Sequence, residues 1–118
     1  MKISVFVDGS GGSNGGFGFF VKETGESFYE KKPEITNNQA EYLAIISALK
    51  KFENSNDEII IFSDLKNTIN QLNHEFAINN EELRSLAREA WSLIAKFSNL
   101  TLVWVPRSKN LAGKMLGS

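Results

Sequence analysis

Three carboxylates stand where the sequence can put them to chemical use. Asp8 closes the run Ile3 to Val7, Asp64 follows Ser63 and the run Glu58 to Phe62, and Glu41 falls in the first turns of a helical period that begins near Asn38. The two runs are rich in β-branched and aromatic residues, so each reads as a buried strand with an acid at its carboxyl end. In open α/β sheets ligands bind beyond those ends, and strands lying side by side in parallel would bring Asp8 and Asp64 together. A lone strand-end carboxylate beside glycine is more often a turn former than a ligand. Two such ends and a helical Glu make a cluster instead. Clustered carboxylates repel one another unless a proton or cation intervenes, and hard oxygen ligands select magnesium or manganese over zinc. The chain has no cysteine, which removes disulfides, thiolate nucleophiles and cysteine-based zinc sites together.

The elements that must position these acids follow from periodicity. After the first strand, Gly9, Gly11, Gly12, Gly15 and Gly16 surround Ser10, Ser13 and Asn14, a tight turn where backbone can approach a ligand. Phe17 to Lys22 and Glu26 to Glu30 flank the turn Glu23-Thr24-Gly25 and predict an antiparallel hairpin. Asn38 to Phe52 carries a helical period with Thr36 or Asn37 as N-cap. Lys66 to Phe76 and Glu81 to Phe97 read as helices, with Asn79 and Asn80 as break and cap. Leu100 to Val105 reads as the last strand, stopped by Pro106, before a loop and a short C-terminal helix. The order β-β-β-α-β-α-α-β-α predicts an α/β domain with a mixed sheet.

Length and charge narrow the function. The 118 residues suit one domain, 1–118. Lys and Arg total 13 against 14 Asp and Glu, a formal charge of −1, so no global basic field advertises nucleic acid. A protein that meets phosphates through divalent metal and backbone amides needs less basic charge. The N-terminal apolar run is too short for a signal peptide or membrane span, and a soluble, cytoplasmic, monomeric protein is expected.

The segments VDGSGGSNGGFGFFV, TNNQAEYLAIISAL, IIIFSDLKNTINQL and LVWVPRSKNLAGK, in this order and spacing, resemble the successive motifs of type 1 ribonucleases H across nearly the whole chain. The resemblance implies the ribonuclease H-like fold, with five strands in the order 3-2-1-4-5 flanked by helices. It implies that Asp8, Glu41 and Asp64 are catalytic and hold two magnesium ions, with manganese as a substitute. The reaction implied is cleavage of the RNA strand of an RNA/DNA hybrid, leaving a 3′ hydroxyl and a 5′ phosphate. Double-stranded RNA is a further candidate partner. Gly11, Asn14, Asn37 and Asn38 match RNA-contact positions, and Thr36 and Asn80 match residues that hold a DNA-strand phosphate. Each of these also has a plain reading as a cap or turn residue.

The chain departs from the family pattern at Lys114, which stands four residues after Asn110 where relatives carry a fourth acid. A ligand is replaced there by a cation, which motivates a second reading: a binding module that retains the surface and has lost efficient cleavage. A basic insertion in the helical region and a late-loop histidine are also absent. The sole histidine, His74, reads as a partly exposed helix residue, and Trp91 and Trp104 as packing residues of a helix and a strand.

Overall fold

The computed structural model describes residues 1–74 and 77–115. Strand β1 (Lys2–Ser10) lies at the centre of a five-stranded sheet. It pairs antiparallel with β2 (Gly16–Val21), which pairs antiparallel with β3 (Ser27–Lys31). On its other side β1 runs parallel to β4 (Glu58–Ser63), and β4 runs parallel to β5 (Leu100–Trp104), giving the order β3-β2-β1-β4-β5. The parallel pairing of β1 and β4 ends at Phe6 with Phe62. Beyond it β1 continues on β2 alone, with Asp8 opposite Gly18 and Ser10 opposite Gly16. The strand is therefore longer than the apolar run predicts, because the backbone of Asp8, Gly9 and Ser10 finds partners where their side chains give no strand signal.

Helix α1 (Asn37–Phe52) packs on β1 and β2 and against α3 (Glu81–Ile94). Tyr42, Ile45 and Leu49 on its inner face are fully buried with Val5, Val7, Val21, Ile59 and Ile61 of the sheet. Each such aliphatic side chain contributes about 1.5–3 kcal/mol of transfer free energy. The short helix α2 (Lys66–Leu72) adds Thr68, Ile69 and Leu72, and the Tyr42 hydroxyl donates to Gln71 Oε1 at 2.7 Å. A 3₁₀ turn (Arg107–Lys109) then leads into α4 (Leu111–Met115), which packs against β1 and β2. Among the described residues no helix is long and apolar enough to cross a membrane.

Two sequence expectations are corrected here. Helix α2 stops at Leu72 rather than running to Phe76, which lies outside the described residues. His74 sits past the helix end in the left-handed region (φ 64°), its N–H bonded to Gln71 O and its ring stacked on Trp91 at 4.7 Å. Trp91 is half-buried against the core as expected, its Nε1 donating to Leu72 O. Trp104 is not a core residue: it is 41% exposed, because β5 is an edge strand and Trp104 its last residue.

Candidate metal centre

Parallel pairing of β1 and β4 sets Asp8 and Asp64 at the same end of adjacent strands. Glu41 arrives from above. Helix α1 begins on a capping box in which Thr36 Oγ1 accepts from Gln39 N (3.0 Å) and Gln39 Oε1 accepts from Thr36 N (2.9 Å). Its first turn then lies directly on the end of β1, an approach that Gly9 permits: a Cβ there would stand 2.5 Å from the carbonyl carbon of Ala40. One residue further along the helix, Glu41 enters the gap between the two aspartates.

One oxygen from each of Asp8, Glu41 and Asp64 can be chosen so that all lie within 4.8 Å of one another. Asp8 is 4% exposed, Glu41 is fully buried, and the Asp64 side chain is 3% exposed. Burial pushes the Glu41 carboxyl up to about 8, and the charges of Asp8 and Asp64 push in the same direction. Ser63 Oγ donates to Glu41 Oε2 and opposes that rise, as does the Gly9 backbone, without cancelling it. Glu41 Oε1 is buried with no hydrogen-bond partner among the described residues. Buried acceptors are nearly always satisfied, so an orphan oxygen at the meeting point of two other acids suits a proton or a cation.

Asp64 is held by Asn110, which is fully buried. Its Nδ2 donates to Asp64 Oδ2 at 3.0 Å and to Val7 O at 2.9 Å, while its Oδ1 accepts from Ala112 N at 3.0 Å. One side chain thereby ties β1, the acid after β4, and the start of α4. Sequence reasoning saw Asn110 only as part of a motif and Ser63 only as a small residue. The signal for Ser63 was its place directly before an acid at a strand end.

Residues 13–117 match the family described as reverse transcriptase-like. The chain belongs to that family. Ribonuclease H1 of the halophilic archaeon Halobacterium salinarum is 26% identical and superposes with a TM-score of 0.87, covering 98% of this chain and 94% of its own. LC11-RNase H1, solved in complex with an RNA/DNA hybrid, is 22% identical with a TM-score of 0.84, covering 97% and 92%. EbsB of Enterococcus faecalis, provisionally named a hydrolase, is 26% identical over 97% of this chain and 90% of its own length. The fold is thus ribonuclease H-like, with the strand order and the flanking helices that the motifs implied.

The other positions that the sequence resemblance singles out lie in the glycine turn, at two helix starts and in α4. Gly11 N donates to Asn37 Oδ1 at 2.7 Å, and Gly12 N to Ile35 O at 2.9 Å, clamping the glycine turn onto the segment before α1. No side chain fits at Gly11, where a Cβ would stand 2.3 Å from Ile35 O. Asn14 and Asn38 are exposed beside this clamp. Thr36 is the N-cap of α1, and Asn80 is the N-cap of α3, its Oδ1 accepting from Leu83 N at 3.0 Å. Gln39 Nε2 donates to Glu82, joining the two helix starts. Lys114 lies in α4, one turn beyond Asn110.

Proposed function

We propose that this chain is a divalent-metal-dependent endoribonuclease that hydrolyses the RNA strand of RNA/DNA hybrids, leaving a 3′ hydroxyl and a 5′ phosphate. The observation that carries the reading is the convergence of Asp8, Glu41 and Asp64, from three separate elements, around an unpartnered buried Glu41 oxygen. An all-oxygen donor set of this kind fits magnesium, with manganese as substitute. Asp8, Glu41 and Asp64 are the residues that would hold two such ions. Bound there, the ions supply charge neutralisation at the phosphate and an activated water in line with the leaving oxygen.

The chain's own residues prepare that site. Asn110 fixes the Asp64 carboxylate, and Ser63 orients Glu41 so that Oε1 is the oxygen left open. Glu41 must give up its proton when a cation arrives, so affinity rises with pH through the region of its raised pKa. Telling RNA from DNA requires contacts to the 2′-hydroxyl. The Gly11 clamp supports such contacts, because Asn37 commits its Oδ1 to Gly11 and keeps its amide NH₂ for a substrate, beside Asn14 and Asn38. Thr36 and Asn80, at neighbouring helix N-termini, suit a phosphate of the DNA strand. The hybrid bound in the LC11-RNase H1 structure is consistent with such a duplex lying across this face of the fold.

Lys114 favours one competing reading, a module that binds hybrid or double-stranded RNA with little turnover. The test is cleavage of a labelled RNA/DNA hybrid in magnesium and in manganese, with Asp8→Asn as control. Metal-dependent cleavage that Asp8→Asn abolishes supports the nuclease. Hybrid binding with no turnover in either metal replaces it with the binding module.

A further inference from the structure

The side of the site formed by β5 holds an aromatic ring and a guanidinium that neither the core nor the triad requires. Trp104 is 41% exposed at the end of β5, yet its ring is fixed: Nε1 donates to the main-chain carbonyl of Asp64 at 3.2 Å, and Lys66 Nζ lies 5.2 Å from the ring centroid. Just beyond it along the chain, the Arg107 guanidinium approaches Asp64 Oδ2 at 4.0 Å with its side chain 64% exposed. That distance is too long for a hydrogen bond, and Asp64 Oδ2 already accepts from Asn110. Among the described residues the guanidinium has no hydrogen-bond acceptor, so its planar set of donors is open to a ligand. It stands on a firm base, because Arg107 O accepts from the N–H of Asn110, the residue that locks β1 to Asp64.

We infer that Trp104 and Arg107 form a second nucleic-acid contact, a ledge on the β5 side of Asp64 that receives the strand being cut as it leaves the carboxylate site. This rests on the reading of the triad as a phosphodiester-cleaving centre. A phosphate drawn to the triad lies within reach of a guanidinium 4.0 Å from one of its carboxylates, and the fork geometry of Arg suits phosphate oxygens. The exposed indole takes the adjoining sugar or base by stacking, which tolerates any sequence. With a formal charge of only −1 on the whole chain, local cations such as Arg107 and Lys66 must supply the attraction that a global basic field would otherwise give.

The chain has two tryptophans, so in a Trp91→Phe background the emission comes from Trp104 alone. Titrating that protein, with Asp8→Asn added so that no cleavage occurs, with a short RNA/DNA hybrid in magnesium should give saturable quenching that tracks hybrid anisotropy. Arg107→Ala should lower the slope of log K against log salt by about 1, while Lys51→Ala, at the far end of α1, leaves it unchanged. Trp104→Ala should weaken hybrid binding roughly 5- to 100-fold and raise KM more than it lowers kcat. Trp104→Phe keeps an aromatic face but loses the N–H, so it should recover most of the binding; equal damage from Phe and Ala, seen in kcat, would reduce Trp104 to a prop for Asp64. Hybrid binding with unmoved Trp104 emission and an unchanged salt slope for Arg107→Ala overturns the ledge alone. No hybrid binding by anisotropy overturns the ledge and the proposed function together.

Discussion

Replacing Glu41 by Gln should make the metal-free protein more stable at neutral pH, although it removes a residue from the centre of the fold. Glu41 is raised from 4.5 to about 8. Between those values the folded protein keeps a proton that the unfolded chain has released. Stability therefore falls as pH rises through this window, and the full benefit of the protonated form is present only below the unfolded value. At about 1.4 kcal/mol per pH unit, the loss reaches about 3 kcal/mol at pH 7 and about 5 kcal/mol above pH 8. Gln escapes that loss: its amide oxygen can still accept from Ser63, and its NH₂ can donate to Asp8 or Asp64. In chelator, the variant should match the parent near pH 4.5 and exceed it by about 3 kcal/mol at pH 7. For a domain of this size that is a rise of roughly 10 °C in Tm. Urea and thermal melts of both proteins from pH 5 to 8 measure it, and the difference between the two curves isolates Glu41 from every other titrating group. Saturating magnesium should close most of that gap, adding about 2.7 kcal/mol to the parent at a hundred times Kd and little to the variant. Parallel stability curves for the two proteins across this pH range would refute both the raised pKa and the crowding of three charges that explains it.

Three further perturbations probe the scaffold around the triad. Asn110→Ala strips the donor from Val7 O and Asp64 Oδ2; it should cost about 1–3 kcal/mol in urea denaturation and about 10- to 100-fold in metal affinity by calorimetry. Gly9→Ala places a Cβ 2.5–2.6 Å from the backbone carbonyl of Ala40, which cannot swing aside as a side-chain tip would. It should cost about 1–3 kcal/mol and lower cleavage by moving Glu41 away from the aspartates, whereas unchanged activity would show that the close contact is dispensable. Lys114→Asp exchanges a cation for an anion on α4 and should raise both magnesium affinity and cleavage roughly tenfold or more. No change in either would place Lys114 outside the field of the site.

Most of the architecture was legible because two signals agreed. Apolar runs ending in Asp8 and Asp64 marked two strands, the motif resemblance supplied the strand order that makes them neighbours, and the helical period after Thr36 placed Glu41 within its first turns. What the sequence hid was decided by contacts between distant segments. The end of helix α2 is an example: Lys66 to Phe76 carries a helical pattern, but the helix closes at Leu72 and the chain turns left-handed at His74, stacking its ring on Trp91 from another helix. Trp104 misled for a related reason. Period-two alternation assigns a side chain to a face of a sheet, but it does not say whether the strand is central or at the edge, and only an edge position leaves an indole open beside Asp64.

The triad itself shows why motif residues outnumber ligands. Three carboxylates can be brought within 4.8 Å only if something resists their repulsion before a cation arrives. Here the resistance is distributed. A proton on Glu41 removes one charge, Asn110 and Ser63 donate to two of the acids, and Gly9 lets α1 sit close enough for its hydrophobic face to anchor the arrangement through Tyr42, Ile45 and Leu49. Asn110, Ser63 and Gly9 lie outside the three acids, and the Asn110 and Ser63 side chains are fully buried. The same division explains how Lys114 can stand where the family pattern calls for an acid. Whatever stands at position 114, Asn110, Ser63 and Gly9 are in place and the three acids are assembled, so on the proposed function an acid at that position should tighten the hold on a cation without being needed to build the site.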